Sequence, residues 1–172
     1  MRLFVALHLS HEAEKALLRA QNVLHRHGCG NFTRPENLHL TLAFIGQTSR
    51  IGDAIAALSR IHASAFSLSL DGLGQFGDGL YWAGVRPSPQ LCTLQQQVII
   101  HLEEEGFSFE ARAFTPHLTL CRRFRSSTPV DAAAVRNAMG GVSCLIRRVS
   151  LMESLQIDGK TVYRERYSKA LH

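Results

Sequence analysis

The 172-residue sequence predicts an α+β fold in which the second half repeats much of the first. Two observations favour this class. Extended and helical segments follow one another in the order β-α-β-α-β-β-α-β-α-β-β, with hairpins that are typical of antiparallel rather than parallel sheets. In addition, the tetrapeptide His-Leu-Thr-Leu occurs at residues 39–42 and again at 117–120. The length suits one domain, over residues 1–172, with a sizeable core.

The first half contains clear start and stop signals. The chain begins with an apolar run that predicts a buried strand. Ser10 is a good N-cap for the helix that follows, and Gly28 is a good stop for it. Gly46 closes the strand that carries the first His-Leu-Thr-Leu copy. The expected elements are strands over about 2–9, 38–45 and 66–70, and helices over about 10–27 and 50–63.

The second half repeats this pattern after a glycine-rich loop at 74–79. Ser88-Pro89 predicts a helix start, with the serine as the cap and the proline in the first turn. Segment 128–131 caps a short helix that ends at Gly140-Gly141. The Asp158-Gly159 pair is typical of a hairpin turn. The expected elements are strands over about 80–85, 117–121, 143–155 and 161–170, and helices over about 89–105 and 131–140.

Each His-Leu-Thr-Leu copy places a histidine and a threonine on one face of its strand. Because successive side chains alternate, His39 and Thr41 project together while the leucines project the other way. His117 and Thr119 do the same, and the alternation continues to Cys121. Two such faces lining one cleft would supply an acid, a base and two neutral donors, which suits chemistry at a phosphate. On the residues alone, two histidines with separate structural roles would give the same pattern.

Composition and motifs exclude several classes of protein. The chain is 45% hydrophobic and 19% charged, as in globular proteins, and no apolar run approaches the roughly 20 residues that span a bilayer. The apolar start ends at His8 without a cleavage site, so we expect a strand and a cytoplasmic protein. The four cysteines are widely spaced, which argues against a zinc site and a disulfide framework. No glycine-rich phosphate loop of the Walker or dinucleotide kind is present.

The positive charge is concentrated in the last third of the chain. Residues 1–111 carry 8 basic and 10 acidic side chains, whereas residues 112–172 carry 11 and 4. Arg122, Arg123 and Arg125 directly follow the second His-Leu-Thr-Leu copy. A basic surface beside a candidate phosphate site indicates a polyanionic ligand such as RNA. Solvated surface arginines without a ligand would give the same composition.

The paired His-x-Thr motifs, about half a chain apart, resemble the signature of the 2H phosphoesterase superfamily. The similarity is carried by segments 37–46 and 114–120, by the opening strand at 2–7 and by the final strand pair with Tyr163. Within the superfamily the sequence resembles the bacterial RNA 2′,3′-cyclic phosphodiesterases of the LigT/ThpR type. The resemblance implies two pseudo-symmetric α+β lobes of mixed or antiparallel sheet around a central cleft, with helices outside.

The resemblance also implies residue roles. His39 would be the proton donor that releases O3′ and leaves a 2′-phosphate, and His117 the base that activates water. Thr41 and Thr119 would donate hydrogen bonds to the phosphate oxygens. Arg122 would steady the phosphate, although strict alternation places it on the face opposite His117. The sequence itself does not tell which histidine is the acid and which is the base, because the two motifs are symmetric.

The expected enzyme is therefore a monomeric RNA 2′,3′-cyclic phosphodiesterase that uses no metal and no cofactor. Three alternatives remain open at this point. A 2′-5′ RNA ligase would run the same chemistry in reverse. A phosphodiesterase for small cyclic phosphates would use the same four motif residues, and a non-catalytic module would only bind RNA ends.

Overall fold

Nine β-strands and four α-helices make up the chain in the computed structural model, which describes residues 1–172. The strands are β1 (Arg2–Leu7), β2 (Gly28–Phe32), β3 (Leu40–Gln47), β4 (Phe66–Phe76), β5 (Leu80–Val85), β6 (Leu118–Ser126), β7 (Ser143–Ile146), β8 (Arg148–Ile157) and β9 (Lys160–Ala170). The helices are α1 (His11–His27), α2 (Ile51–Ser59), α3 (Pro89–Glu104) and α4 (Ala132–Met139). A single 3-10 turn at Pro35–Asn37 precedes β3.

The strands form two antiparallel sheets, which confirms the predicted α+β class. Sheet A has the order β3-β1-β8-β9, and sheet B has the order β2-β6-β5-β4-β7. The first His-Leu-Thr-Leu copy leads into β3 and the second into β6. Counted from these motif strands, β3-β1-β8-β9 corresponds to β6-β5-β4-β7, with β2 added outside β6. The two sheets are thus lobes of similar construction, each contributing one motif strand.

The leucines of the two motif copies anchor their strands in the core. Leu40 and Leu42 in β3 are at most 3% exposed, and Leu118 and Leu120 in β6 are fully buried. Full burial of one leucine side chain contributes about 1.5–3 kcal/mol relative to an exposed one. The other face of each motif strand is therefore left available for polar side chains.

The helices pack in two pairs, α1 with α4 and α2 with α3. Helix α1 buries one face, whose residues recur at helical spacing and include Ala13, Ala16, Leu17, Ala20 and Leu24. None of the four helices is both long and apolar enough to cross a membrane.

The predicted caps and hairpin turn are confirmed. Ser10 Oγ accepts from Ala13 N at 3.2 Å, and Ser88 Oγ accepts from Leu91 N at 3.2 Å. At the start of α4, Asp131 Oδ1 accepts from Ala134 N at 3.1 Å. Each cap stabilises its helix by about 1 kcal/mol. Asp158 and Gly159 both have positive φ, 52° and 75°, as a type I′ hairpin turn requires.

Strand β2 was not predicted, because its sequence Gly-Cys-Gly-Asn-Phe has weak strand propensity. It forms as an edge strand paired with β6. The glycines permit a close approach of the two backbones, since a Cβ on Gly30 would lie 2.8 Å from the Cα of Phe124. Tertiary pairing therefore overrides the local preference of this segment.

Other predicted boundaries were wrong. The strand expected over 143–155 is two strands, because β7 pairs in sheet B and β8 in sheet A. Strand β4 continues through the expected loop to Phe76, after an irregularity at Gly72, where φ is 86°. Strand β1 ends at Leu7. Helix α2 ends at Ser59, because Arg60 N turns back to bond Ala57 O.

Candidate active site

A cleft of about 580 Å³ is lined by residues of both sheets. All five side chains singled out in the sequence line it: His39, Thr41, His117, Thr119 and Arg122. The structure thus brings together two motif copies that are far apart in the chain. The rest of the lining includes polar side chains from β8 and β9 and the aromatic rings of β1 and β9.

His39 has hydrogen bonds on both ring nitrogens. Nδ1 lies 2.6 Å from the carbonyl oxygen of Asn37, and Nε2 lies 2.8 Å from Thr41 Oγ1. A carbonyl oxygen only accepts, so Nδ1 carries the proton and the neutral ring accepts from Thr41 at Nε2. The Asn37 side chain in turn donates to Thr161 O at 3.1 Å. The 3-10 turn before β3 therefore fixes the tautomer and orientation of His39.

His117 repeats half of this arrangement. Its Nδ1 donates to the carbonyl oxygen of Thr115 at 2.7 Å, again two residues earlier in the chain. This bond leaves Nε2 as the nitrogen available for a ligand. Unlike His39, the ring has no hydrogen bond to the threonine of its own motif, and Thr115 O is its one hydrogen-bond partner. The two histidines are thus similar in tautomer but differ in restraint.

A β-bulge in each motif strand changes which side chains face the cleft. In β3, Val5 pairs with Ala43 but Ala6 pairs with Thr41, so one extra residue is inserted. In β6, Tyr81 pairs with Cys121 but Trp82 pairs with Thr119. Two consecutive residues are therefore buried in each strand, and the following side chain turns back to the cleft.

The bulge corrects two expectations that rested on strict alternation. Arg122 lines the cleft beside His117 and Thr119 instead of pointing away from them. Cys121 is fully buried and does not line the cleft, and burial raises the pKa of its thiol to about 11. The signal was present in the sequence, because Leu42-Ala43 and Leu120-Cys121 break the alternation at the same place in both copies.

Burial lowers the pKa of His39 below its ordinary value. The hydrogen bond to Asn37 O acts in the opposite direction, and the nearby charges of His8, His117 and Arg122 lower the pKa further. The imidazole of His39 is therefore neutral at pH 7 in the free protein. An anion bound in the cleft would favour the protonated form.

Aromatic rings surround both histidines. His39 packs against Phe4 and Tyr163, with ring centroids 5.0 and 5.1 Å away. Burial raises the pKa of the Tyr163 phenol, against the charges of Arg122 and Arg2, so its hydroxyl stays a neutral donor. Sequence reasoning assigned no role to these rings, because contacts between strands of one sheet are not visible as local patterns.

A second groove, of about 700 Å³, adjoins the cleft on the His117 side. It shares Thr41, Phe44 and His117 with the cleft. Most of its other lining is apolar, and two phenylalanine rings on its walls are strongly exposed, Phe44 at 62% and Phe76 at 41%. Exposed flat rings beside a polar site are suited to stacking on a heterocyclic base.

No group of three or more His, Cys, Asp or Glu side chains is arranged to hold a metal ion. All four cysteines are free thiols.

Comparison with known proteins identifies relatives of the whole arrangement. The 2′-5′ RNA ligase superfamily matches residues 8–157. An RNA 2′,3′-cyclic phosphodiesterase of Thermotoga maritima is 32% identical over 71% of this chain and 70% of its own length. One of Escherichia coli is 32% identical over 70% of this chain and 71% of its own length. One of Geobacillus stearothermophilus is 31% identical over 78% of this chain, which spans only 46% of that relative.

Solved structures agree with this assignment. E. coli LigT in complex with 3′-AMP has a TM-score of 0.84 and 26% identity, with 99% of this chain and 97% of that one covered. The resemblance carried by the paired motifs, the opening strand and the final strand pair is thereby confirmed. The chain belongs to the 2′-5′ RNA ligase superfamily of 2H phosphoesterases.

Proposed function

We propose that this chain hydrolyses RNA 2′,3′-cyclic phosphate ends to 2′-phosphomonoesters, with His39 and His117 as an acid–base pair. One observation carries the proposal: both imidazoles line one cleft, and each has its Nδ1 proton tied to the carbonyl two residues earlier. Each ring therefore uses Nε2 for proton transfer. The names of the relatives, RNA 2′,3′-cyclic phosphodiesterases from several organisms, support the same reaction.

The reaction needs two proton transfers at phosphorus. His117 Nε2 removes a proton from water as its oxygen attacks phosphorus and forms the new P–O bond. The P–O3′ bond breaks, and His39 Nε2–H protonates the departing O3′, so that the phosphate stays on O2′. Imidazole suits both steps because its ordinary pKa lies near 6.5. The acid role of His39 requires its protonation, which the negative charge of the bound phosphate promotes.

The neutral and cationic side chains of the cleft have complementary roles. Thr41 and Thr119 donate hydrogen bonds to the non-bridging oxygens, where negative charge grows in the transition state. Arg122 contacts the phosphate or the adjoining nucleotide with its guanidinium group. The substrate is an RNA or a nucleotide with a cyclic phosphate end. We propose further that the chain acts as a monomer in the cytoplasm, without metal or cofactor.

Product analysis tests the proposal. An oligoribonucleotide with a 2′,3′-cyclic phosphate end should be converted to a 2′-phosphate, identified by ³¹P NMR, with equal rates in the presence and absence of a chelator. His39→Ala and His117→Ala should each remove most turnover. A 3′-phosphate product would show that O2′, and not O3′, is the leaving oxygen. Tight binding without turnover would indicate an RNA-end binding module. Turnover of mononucleotides alone would indicate a small-molecule phosphodiesterase.

A second candidate reaction, 2′-5′ ligation, is favoured by the apolar groove beside His117. The groove lies on the side of the proposed base, so a nucleoside held there would present its 5′-hydroxyl in place of water. Ligation competes with attack by water, which is present at roughly 55 M, so it requires a large effective molarity of the bound alcohol. Adding a 5′-hydroxyl oligonucleotide should yield a 2′-5′ diester in an amount that Phe44→Ala lowers relative to hydrolysis. An unchanged product ratio would leave hydrolysis as the reaction.

A further inference from the structure

The two histidines differ in how their reactive nitrogens are restrained. His39 is tied at Nδ1 to Asn37 O and at Nε2 to Thr41 Oγ1. His117 is tied only at Nδ1, to Thr115 O, so its hydrogen bonding alone leaves rotation about that single bond unrestrained. A displaced Nε2 would misalign proton transfer from water, so another contact is needed to hold the ring.

That contact is a triangle of aromatic rings in sheet B. The centroids of Phe76 and His117 are 5.1 Å apart at an interplanar angle of 82°, and those of Trp82 and His117 are 5.9 Å apart. Phe76 and Trp82 are themselves 5.1 Å apart. Edge-to-face and tilted contacts at these distances are favourable and directional. They restrict the rotation that the single hydrogen bond leaves open.

The indole of Trp82 is held by shape rather than by a hydrogen bond. Trp82 lies opposite Gly74 in the β4–β5 pair, and a Cβ on Gly74 would lie 2.0 Å from Trp82 Cζ2. The ring therefore occupies the space that a side chain at Gly74 would fill. Its Nε1 is buried without a hydrogen-bond partner, although buried indole N–H groups usually have one. The packing retains the ring in this position despite the unpaired donor.

We propose that Trp82 and Phe76 are positioning residues that hold the His117 ring for proton transfer, with Gly74 providing the space for the indole. Trp82 does not line the cleft, so it acts through His117 and not on the substrate. The role rests on the proposed function, in which His117 is the base. It also explains the glycine at 74, in a segment whose sequence predicts a loop but which is paired β-structure.

Replacement of Trp82 tests the inference. Trp82→Ala should lower kcat for a cyclic-phosphate oligonucleotide about 10- to 100-fold, the effect of a misplacement near 1 Å. KM should change less than about 2-fold, because the threonines and Arg122 still bind phosphate. Trp82→Phe should restore most of kcat, since it keeps a ring in contact with His117. Tyr81→Leu is the matched control: it removes a ring from the same strand that packs instead on Phe124, and kcat should stay near the wild-type value.

Three further measurements decide the outcome. Phe76→Leu, at a position 41% exposed and so tolerant of change, should also lower kcat, and KM should rise as well because this ring lines the second groove. Gly74→Ala should lower kcat selectively by displacing the indole. In a His117→Ala background, Trp82→Ala should cause no further loss, because the two effects share one step.

Three outcomes would overturn the inference. Trp82→Ala could lower kcat as much in the His117→Ala background as in the wild type, or it could raise KM without lowering kcat. The third outcome is an unaltered kcat in Phe76→Leu. These comparisons require that the wild-type protein turns over cyclic phosphates. Absence of turnover in the wild-type chain would instead contradict the proposed function.

Discussion

Phe44 and Arg122 occupy corresponding positions in the two motif strands. Each lies three residues after the motif threonine, and each is returned to the cleft by the bulge that precedes it. The similar lobes therefore present different groups from one position: an exposed aromatic ring from sheet A and a guanidinium from sheet B. The difference gives the cleft one side suited to stacking and one suited to phosphate.

The guanidinium of Arg122 in the cleft predicts that substrate binding depends on salt concentration. Arg122→Gln should raise KM for an oligonucleotide more than for a cyclic mononucleotide if the guanidinium contacts RNA beyond the terminal phosphate. The difference between the two substrates should shrink as salt is added, because each phosphate contact releases counterions. Arg125→Gln is the matched control, since it removes another exposed cation of β6, one that does not line the cleft. Equal effects of the two variants would show that only net charge matters.

The threonines predict a loss of transition-state stabilisation. Thr41→Val and Thr119→Val should each lower kcat/KM, with a loss of transition-state stabilisation of roughly 2–4 kcal/mol. That is the loss expected when one donor to a developing oxyanion is removed. Thr→Ser should be milder at both positions, because the hydroxyl remains. Thr41→Val should have an additional effect, since it also frees His39 Nε2 from its partner. Equal activities of the valine and serine variants would exclude a role for the hydroxyl groups.

The sequence predicts the site better than it predicts the strands that build it. Alternation correctly places His39 and Thr41 on one face and the motif leucines on the other, because a two-residue period is local. It fails at Arg122, where a bulge formed in pairing with β5 shifts the period. Strand β2 and the division of 143–155 between two sheets depend on partners distant in the chain. The Phe76–Trp82–His117 triangle depends on such partners too, so neither propensity nor spacing reveals it.

Two half-buried histidines predict a fall in the free energy of unfolding toward acid pH. Burial lowers the pKa of His39 and of His8. The unfolded chain therefore takes up these protons at a higher pH than the folded chain does. The stability that the neutral rings contribute is present in full above about pH 6.5 and is lost as the pH falls through the folded values.

Thermal unfolding measures this effect. Between pH 7.5 and pH 5, the wild-type Tm should fall more than that of a His8→Gln, His39→Gln double variant, which lacks both titrations. His62→Gln serves as a control at an exposed histidine. A double variant with the same pH dependence as the wild type would assign the acid sensitivity to other groups.

The pH dependence of turnover should separate the free enzyme from the substrate complex. As the proposed proton donor, His39 must be protonated, and burial lowers its pKa in the free protein. The profile of kcat/KM reports the free enzyme, so the limb that reports His39 should lie below the ordinary histidine value of about 6.5. The profile of kcat reports the complex, in which the phosphate charge raises the pKa of His39 and moves that limb upward. Steady-state rates across pH 4.5–9 would measure both limbs, with His101→Gln, on the outer helix α3, as a control that should shift neither. Profiles of kcat/KM and kcat that coincide would contradict the predicted rise in the pKa of His39 on substrate binding.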